Sequence, residues 1–186
     1  YIENVSLQEP AGAVYGSFTL TNSIIKNPQD YTYIWYPKSD VLISGNDFYL
    51  EDTDWVITAG TNEGVKVLIE RNNFYNFEGG IYSNSLITNW ASYGSSLTEV
   101  KYNNFYDPEV DANDQVASNY SSLSKLIGLR NGYTSSDIRG SNNKVFIGGE
   151  EVTSFESEDY IFDSRDDTRS ETISDHDQLF SKVNTC

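Results

Sequence analysis

Residues 107–114 read Asp-Pro-Glu-Val-Asp-Ala-Asn-Asp, so oxygen-bearing side chains recur at alternate positions. Asp107, Glu109, Asp111 and Asp114 are the candidate ligands for a hard cation such as calcium, which takes carboxylate and carbonyl oxygens. The segment is not an EF-hand. Its sixth position is Ala112 where the turn needs Gly, and its twelfth is Ser118 where the bidentate Glu belongs. A solvated acidic loop is the competing reading.

Other residues invite chemistry less specifically. Asp159, Asp163, Asp166 and Asp167 lie close together with Arg165 and Arg169. Paired carboxylates of this kind serve as acid and base in glycoside hydrolysis, but an acidic composition also produces such clusters by itself. His176 is the single histidine, flanked by Asp175 and Asp177, and reads as an exposed helix residue rather than a triad member. No residue is therefore assigned as catalytic. The aromatic residues Tyr31, Tyr33, Trp35, Trp55, Tyr82 and Trp90 are candidates for stacking on sugar rings, for a protein interface, or for packing under loops. All three readings stay open, because the phase of a strand is not legible in its sequence.

Bulk composition narrows the partners. The 186 residues carry a formal charge of −16, which repels phosphate backbones and anionic membrane surfaces. Nucleic acid and membrane insertion are not expected as partners; no apolar run reaches the length of a span. The only cysteine is Cys186, so an intrachain disulfide and a cysteine-based zinc site are both excluded. Methionine is absent, which points to a processed chain or an excised piece. An aromatic content of 14% argues against disorder.

The elements that must hold these residues repeat. Thr21-Asn22-Ser23-Ile24, Gly45-Asn46-Asp47-Phe48, Arg71-Asn72-Asn73-Phe74 and Tyr102-Asn103-Asn104-Phe105 each place an Asn beside a strand-like apolar run, the asparagines 24, 26 and 31 residues apart. Each cycle reads strand, Asn turn, strand, polar loop, strand, with no helical run between. That excludes βαβ units and favours a solenoid over a sandwich. Asn22, Asn46, Asn72 and Asn103 are expected to form an interior ladder, since a buried amide must find partners and a repeated corner supplies them. Trp55 and Ile81 are expected at equivalent places, with an insertion at 83–96. Residues 142–146 read as a degenerate further rung. Ser174-Asp175-His176-Asp177 has the spacing of a helix start.

The stretches Val41-Leu42-Ile43-Ser44-Gly45-Asn46-Asp47-Phe48 and Val67-Leu68-Ile69-Glu70-Arg71-Asn72-Asn73-Phe74 resemble the recurring rung of right-handed parallel β-helix proteins, the pectate-lyase-like superfamily. The resemblance covers about residues 14–125. It implies an all-β right-handed parallel β-helix over 1–148, with the acidic segment 149–186 packing as an irregular or helical cap. It further implies an extracellular or cell-surface module. The expected role is adhesion, carbohydrate recognition or fibre assembly through the solenoid ends, with calcium as the one cofactor to test. The alternative is a polysaccharide lyase or glycoside hydrolase, or a fragment of one. Lyases of that superfamily use a basic residue as the proton-abstracting base. Lys66, Arg71 and Lys101 match no such motif residue by residue; Lys66 and Lys101 are the first to locate.

Overall fold

The computed structural model describes residues 1–3, 18–26, 32–34, 39–49, 57–61, 65–75, 87–91, 96–107, 127–130, 136–153 and 161–163. Among them every regular element is a β-strand, and the strands form three sheets. The 7-stranded sheet runs β1 (Ile2–Glu3), β3 (Ile24–Lys26), β6 (Asp47–Tyr49), β9 (Asn73–Tyr75), β12 (Asn104–Tyr106), β15 (Lys144–Ile147), β16 (Glu150–Glu151). One 5-stranded sheet runs β14 (Ser136–Ser141), β11 (Ser96–Lys101), β8 (Lys66–Glu70), β5 (Val41–Ser44), β2 (Phe18–Thr21). The other runs β17 (Ile161–Asp163), β13 (Ile127–Arg130), β10 (Ile87–Ala91), β7 (Ile57–Thr61), β4 (Thr32–Ile34). In each sheet the neighbours are successive visits of the chain, and all pairs are parallel except β15 with β16. The chain is an all-β parallel solenoid.

Two residues join the sheet of β2 to that of β1 at every corner. The first has positive φ: Asn22 (50°), Gly45 (69°), Arg71 (54°), Tyr102 (57°) and Asn142 (56°). A left-handed residue turns the chain sharply, and glycine and asparagine adopt it most cheaply. The second is Ser23, Asn46, Asn72, Asn103 or Asn143, and the four asparagines are fully buried. From one second residue to the next the interval lengthens along the chain through 23, 26, 31 and 40 residues. The corners stay superimposed, so the added length enters away from them. Loop closure costs grow slowly with length, which lets one corner geometry coexist with coils of unequal size.

Alternation along the strands sorts side chains into an interior and an exterior. Leu20, Val41, Ile43, Val67, Ile69 and Val100 face inward from one wall. Ile25, Phe48, Phe74, Phe105 and Val145 face inward from the 7-stranded sheet. Phe48, Phe74 and Phe105 stack with centroids 5.0 and 5.1 Å apart and planes within about 12°. Burying a side chain of this size contributes roughly 2–3 kcal/mol.

Several expectations change in detail. The chain turns at the Asn22–Ser23 corner between β2 and β3. Ile57 pairs with Ile87, so the presumed insertion at 83–96 contains the strand β10; Trp55 and Ile81, expected at equivalent places, lie outside the described residues. Within the acidic segment expected as a cap, β17 pairs in parallel with β13 at the edge of its sheet. The expected helix near Ser174 lies outside the described residues. Among the described residues no helix is long and apolar enough to cross a membrane.

Candidate functional site

Inside the corner, Asn72 and Asn103 exhaust their own hydrogen-bonding capacity. Asn46 Nδ2 donates to Leu20 O at 2.9 Å and to Asn72 Oδ1 at 3.0 Å, and Asn46 N–H donates to that same Asn72 Oδ1 at 3.0 Å. Asn72 repeats the pattern with Ile43 O and Asn103 Oδ1. Asn103 repeats it with Ile69 O and Asn143 Oδ1. An amide offers two N–H groups and two oxygen lone pairs, so Asn72 and Asn103 have nothing left for a ligand. Asn22 does not belong to this column of asparagines. The strand register aligns Thr21 with Ser44 and Ile24 with Asp47, which puts Ser23, not Asn22, opposite Asn46. Asn22 is exposed at the left-handed position instead. Ser23 ends the column: its N–H donates to Asn46 Oδ1 and its hydroxyl turns back to Thr21 O.

The corner also fixes what the outside of the 7-stranded sheet displays. With Phe48, Phe74 and Phe105 pinned inward, the residues on either side point outward. The first outer column is Ile24, Asp47, Asn73, Asn104 and Lys144, in register. Asn73 Nδ2 donates to Asp47 Oδ1 at 2.8 Å, and Asn104 Nδ2 to Asn73 Oδ1 at 2.9 Å. The second is Lys26, Tyr49, Tyr75, Tyr106 and Phe146. Tyr49, Tyr75 and Tyr106 stack at 4.7 Å with planes within about 10°, and Phe146 continues the stack at 4.9 Å. The Lys26 ammonium lies between the rings of Tyr1 and Tyr49, at 5.8 and 5.7 Å from their centroids. All of the residues Asp47, Asn73, Asn104, Tyr49, Tyr75 and Tyr106 are half-buried. Burial raises the Tyr75 phenol above its ordinary value, and the nearby Asp47 charge adds to the rise.

On the adjoining wall, Lys66 and Lys101 are held in ion pairs. Lys66 Nζ lies 2.6 Å from Glu99 Oε2, and Lys101 Nζ lies 3.6 Å from Glu99 Oε2 and 3.8 Å from Glu70 Oε2. Glu70 also meets Arg71. The Lys66 hydrogen bond holds the Glu99 carboxyl below its ordinary range, against the opposing effect of burial and with help from Lys101. Both ammonium groups are committed to carboxylates of their own wall. The pairing therefore speaks for a structural cluster.

Of the candidate cation ligands, Asp107 is described. It is exposed, has a positive φ of 47°, and accepts a hydrogen bond from Gly148 N–H at 2.6 Å. Its own N–H donates to Phe146 O. Glu109, Asp111 and Asp114 lie outside the described residues, and among those described no three acidic, histidine or cysteine residues gather into a metal site. Tyr31, Trp35, Trp55 and Tyr82 also lie outside. For Tyr33 and Trp90 the backbone alone is described: they sit in β4 and β10, opposite Thr58 and Gly60 respectively.

Reasoning from the sequence missed the two outer columns. Their signal was present: a tyrosine follows the phenylalanine in Asp47-Phe48-Tyr49, Asn73-Phe74-Tyr75 and Asn104-Phe105-Tyr106. No protein-family model, curated protein or solved structure matches this chain.

Proposed function

We propose that this chain is an extracellular, non-catalytic β-solenoid module that recognises carbohydrate on the outer face of its 7-stranded sheet, within the right-handed, pectate-lyase-like class of β-helices. The observation that carries the proposal is the pair of outer columns. Asp47–Asn73–Asn104 and Tyr49–Tyr75–Tyr106 run side by side, half-exposed, at one residue of each kind per coil. A rigid sheet face with repeated hydrogen-bonding groups suits a repeating polymer better than a single small molecule, which binds in a concave pocket.

One end of that sheet favours lateral binding over fibre growth. β16 is two residues long, antiparallel and made of Glu150 and Glu151. Short, charged edge strands oppose the addition of further strands. The ion-paired state of Lys66 and Lys101 supports the non-catalytic reading.

A glycan array probed with the chain and with Asn73→Ala/Tyr75→Ala tests the proposal. Signal on a defined set of glycans, abolished in the double variant while its melting temperature stays above the assay temperature, is the expected result. An empty array alongside filaments in electron micrographs would sink it.

A further inference from the structure

The chemistry of the glycan follows from which atoms of the outer face are still free. Tyr49, Tyr75 and Tyr106 cannot offer ring faces. Each face is already covered: Tyr49 by Lys26 and Tyr75, Tyr75 by Tyr49 and Tyr106, Tyr106 by Tyr75 and Phe146. Stacking of a sugar C–H face on these rings is therefore excluded, and the column presents ring edges and phenol hydroxyls. Among the described residues no protein group hydrogen-bonds those hydroxyls. In the neighbouring column Asn73 spends one N–H on Asp47 and one oxygen lone pair on Asn104. One further N–H and one further lone pair remain to it.

The charge of this strip is also distinctive. In a chain of net charge −16 the two central coils of the face carry Asn73, Tyr75, Asn104 and Tyr106, none of them charged. Charges flank them at both ends: Lys26 and Asp47 at one, the Lys144–Glu151 pair (2.9 Å) at the other. Nothing there matches the carboxylates of a polyuronate, and the surrounding acidity repels them.

We infer that the ligand is an uncharged, extended glycan lying along the solenoid axis, its hydroxyls bridging the amide column of Asn73 and Asn104 and the phenol column of Tyr75 and Tyr106. This rests on the carbohydrate-binding reading above and specifies its ligand. The rings repeat every 4.7 Å, close to the length of one pyranose in a ribbon-like chain, so successive sugars meet equivalent groups. The match is close rather than perfect, and the run of uncharged coils is short. Register therefore holds over a few sugars only.

The test is calorimetric titration of the intact chain with neutral β-1,4-linked oligosaccharides (cello- and manno-series) of two to six units, and with oligogalacturonates of the same lengths, at low and high salt. Affinity for a neutral series rises steeply to about four units, levels off, and is indifferent to salt. Tyr75→Phe keeps the ring stack and the melting temperature but weakens binding about fivefold to tenfold, the loss of one neutral hydrogen bond. Salt-sensitive binding of oligogalacturonates alone, or wild-type affinity in Tyr75→Phe, overturns the inference while leaving a carbohydrate-binding module standing. Silence from both series and from the glycan array removes that broader reading as well.

Discussion

Asn103 Oδ1 accepts two hydrogen bonds from Asn72, one from its backbone N–H and one from its side-chain Nδ2, both at 3.0 Å. A single buried oxygen thereby satisfies two donors of the preceding coil. The side chain that supplies it is itself tied back by Nδ2 to Ile69 O at 3.1 Å, one coil earlier. Coils of unequal length are held in one register by this exchange, and the outer face inherits its regularity from it.

Replacing Asn72 by Ala orphans two buried donors, the N–H and Nδ2 of Asn46, and leaves Ile43 O without its side-chain partner. A buried unsatisfied group costs roughly 1–3 kcal/mol, so Asn72→Ala is expected to lose on the order of 3–5 kcal/mol in urea unfolding. Asn73→Ala, one residue on and half-exposed, loses less than about 1 kcal/mol. Equal losses at the two positions would contradict the column's role.

Gly45 has a φ of +69°, and a Cβ built on it would stand 2.9 Å from Asn22 Oδ1. Gly45→Ala is expected to cost roughly 1–2 kcal/mol for the left-handed backbone, with the contact in addition. Asn22→Gly, which removes the opposing oxygen and suits its own positive φ, should recover part of that loss in the double variant. Strictly additive melting temperatures would show that the contact does not matter.

Phe74 is sandwiched between Phe48 and Phe105 in the interior. Phe74→Ala should cost roughly 3–5 kcal/mol and Phe74→Leu clearly less. Phe48→Ala combined with Phe74→Ala should depart from additivity, because the two truncations open one shared cavity. Denaturant midpoints of the four-member cycle measure this.

Glu99 has its carboxyl lowered below the ordinary 4.5 by the Lys66 hydrogen bond first. The folded state therefore binds this proton less readily than the unfolded chain. The stabilisation is complete above the unfolded value and is lost as pH falls through the lowered folded one. In Lys66→Met the acid limb of the stability–pH curve below 4.5 should flatten and stability near neutrality should fall. Parallel curves for the two proteins would exclude the pair as the cause.

The Tyr75 phenol shows the opposite sign. Its value is raised above 10.0 by burial and then by Asp47, so its contribution is present below 10.0 and is lost as pH rises through the folded value. Asp47→Asn should move the tyrosinate absorbance transition of this residue to lower pH. The residual elevation reports burial first, with the neighbouring Tyr106 and Tyr49 phenols adding to it.

Most of the coil was legible because its corners are chemically uniform. Asn46, Asn72 and Asn103, each with Phe two places on, announce a buried amide beside a buried ring. Asn22 was misplaced for a definite reason. Asparagine suits both corner positions, the left-handed one for its tolerance of positive φ and the buried one for its amide, and composition does not separate them. Asn142 and Asn143 occupy one of each. The equivalence of Ile57 with Ile87 was hidden by intervening stretches of unequal length, which carry no periodic signal. The tyrosines of the outer face are less conspicuous in the sequence than Tyr31, Tyr33 and Trp35, because aromatics crowded into a few consecutive residues stand out more than one ring per coil.

From the order of residues alone came the strand alternation, the recurrence of the corner and the acidic, nearly cysteine-free surface. These are local or compositional properties, set by side-chain period and charge. Which residue of each corner is buried, and whether the tyrosines show faces or edges, was decided only in three dimensions. Both depend on register between coils 23 to 40 residues apart, and hydrogen bonds across that separation exist only once the chain has wound onto itself.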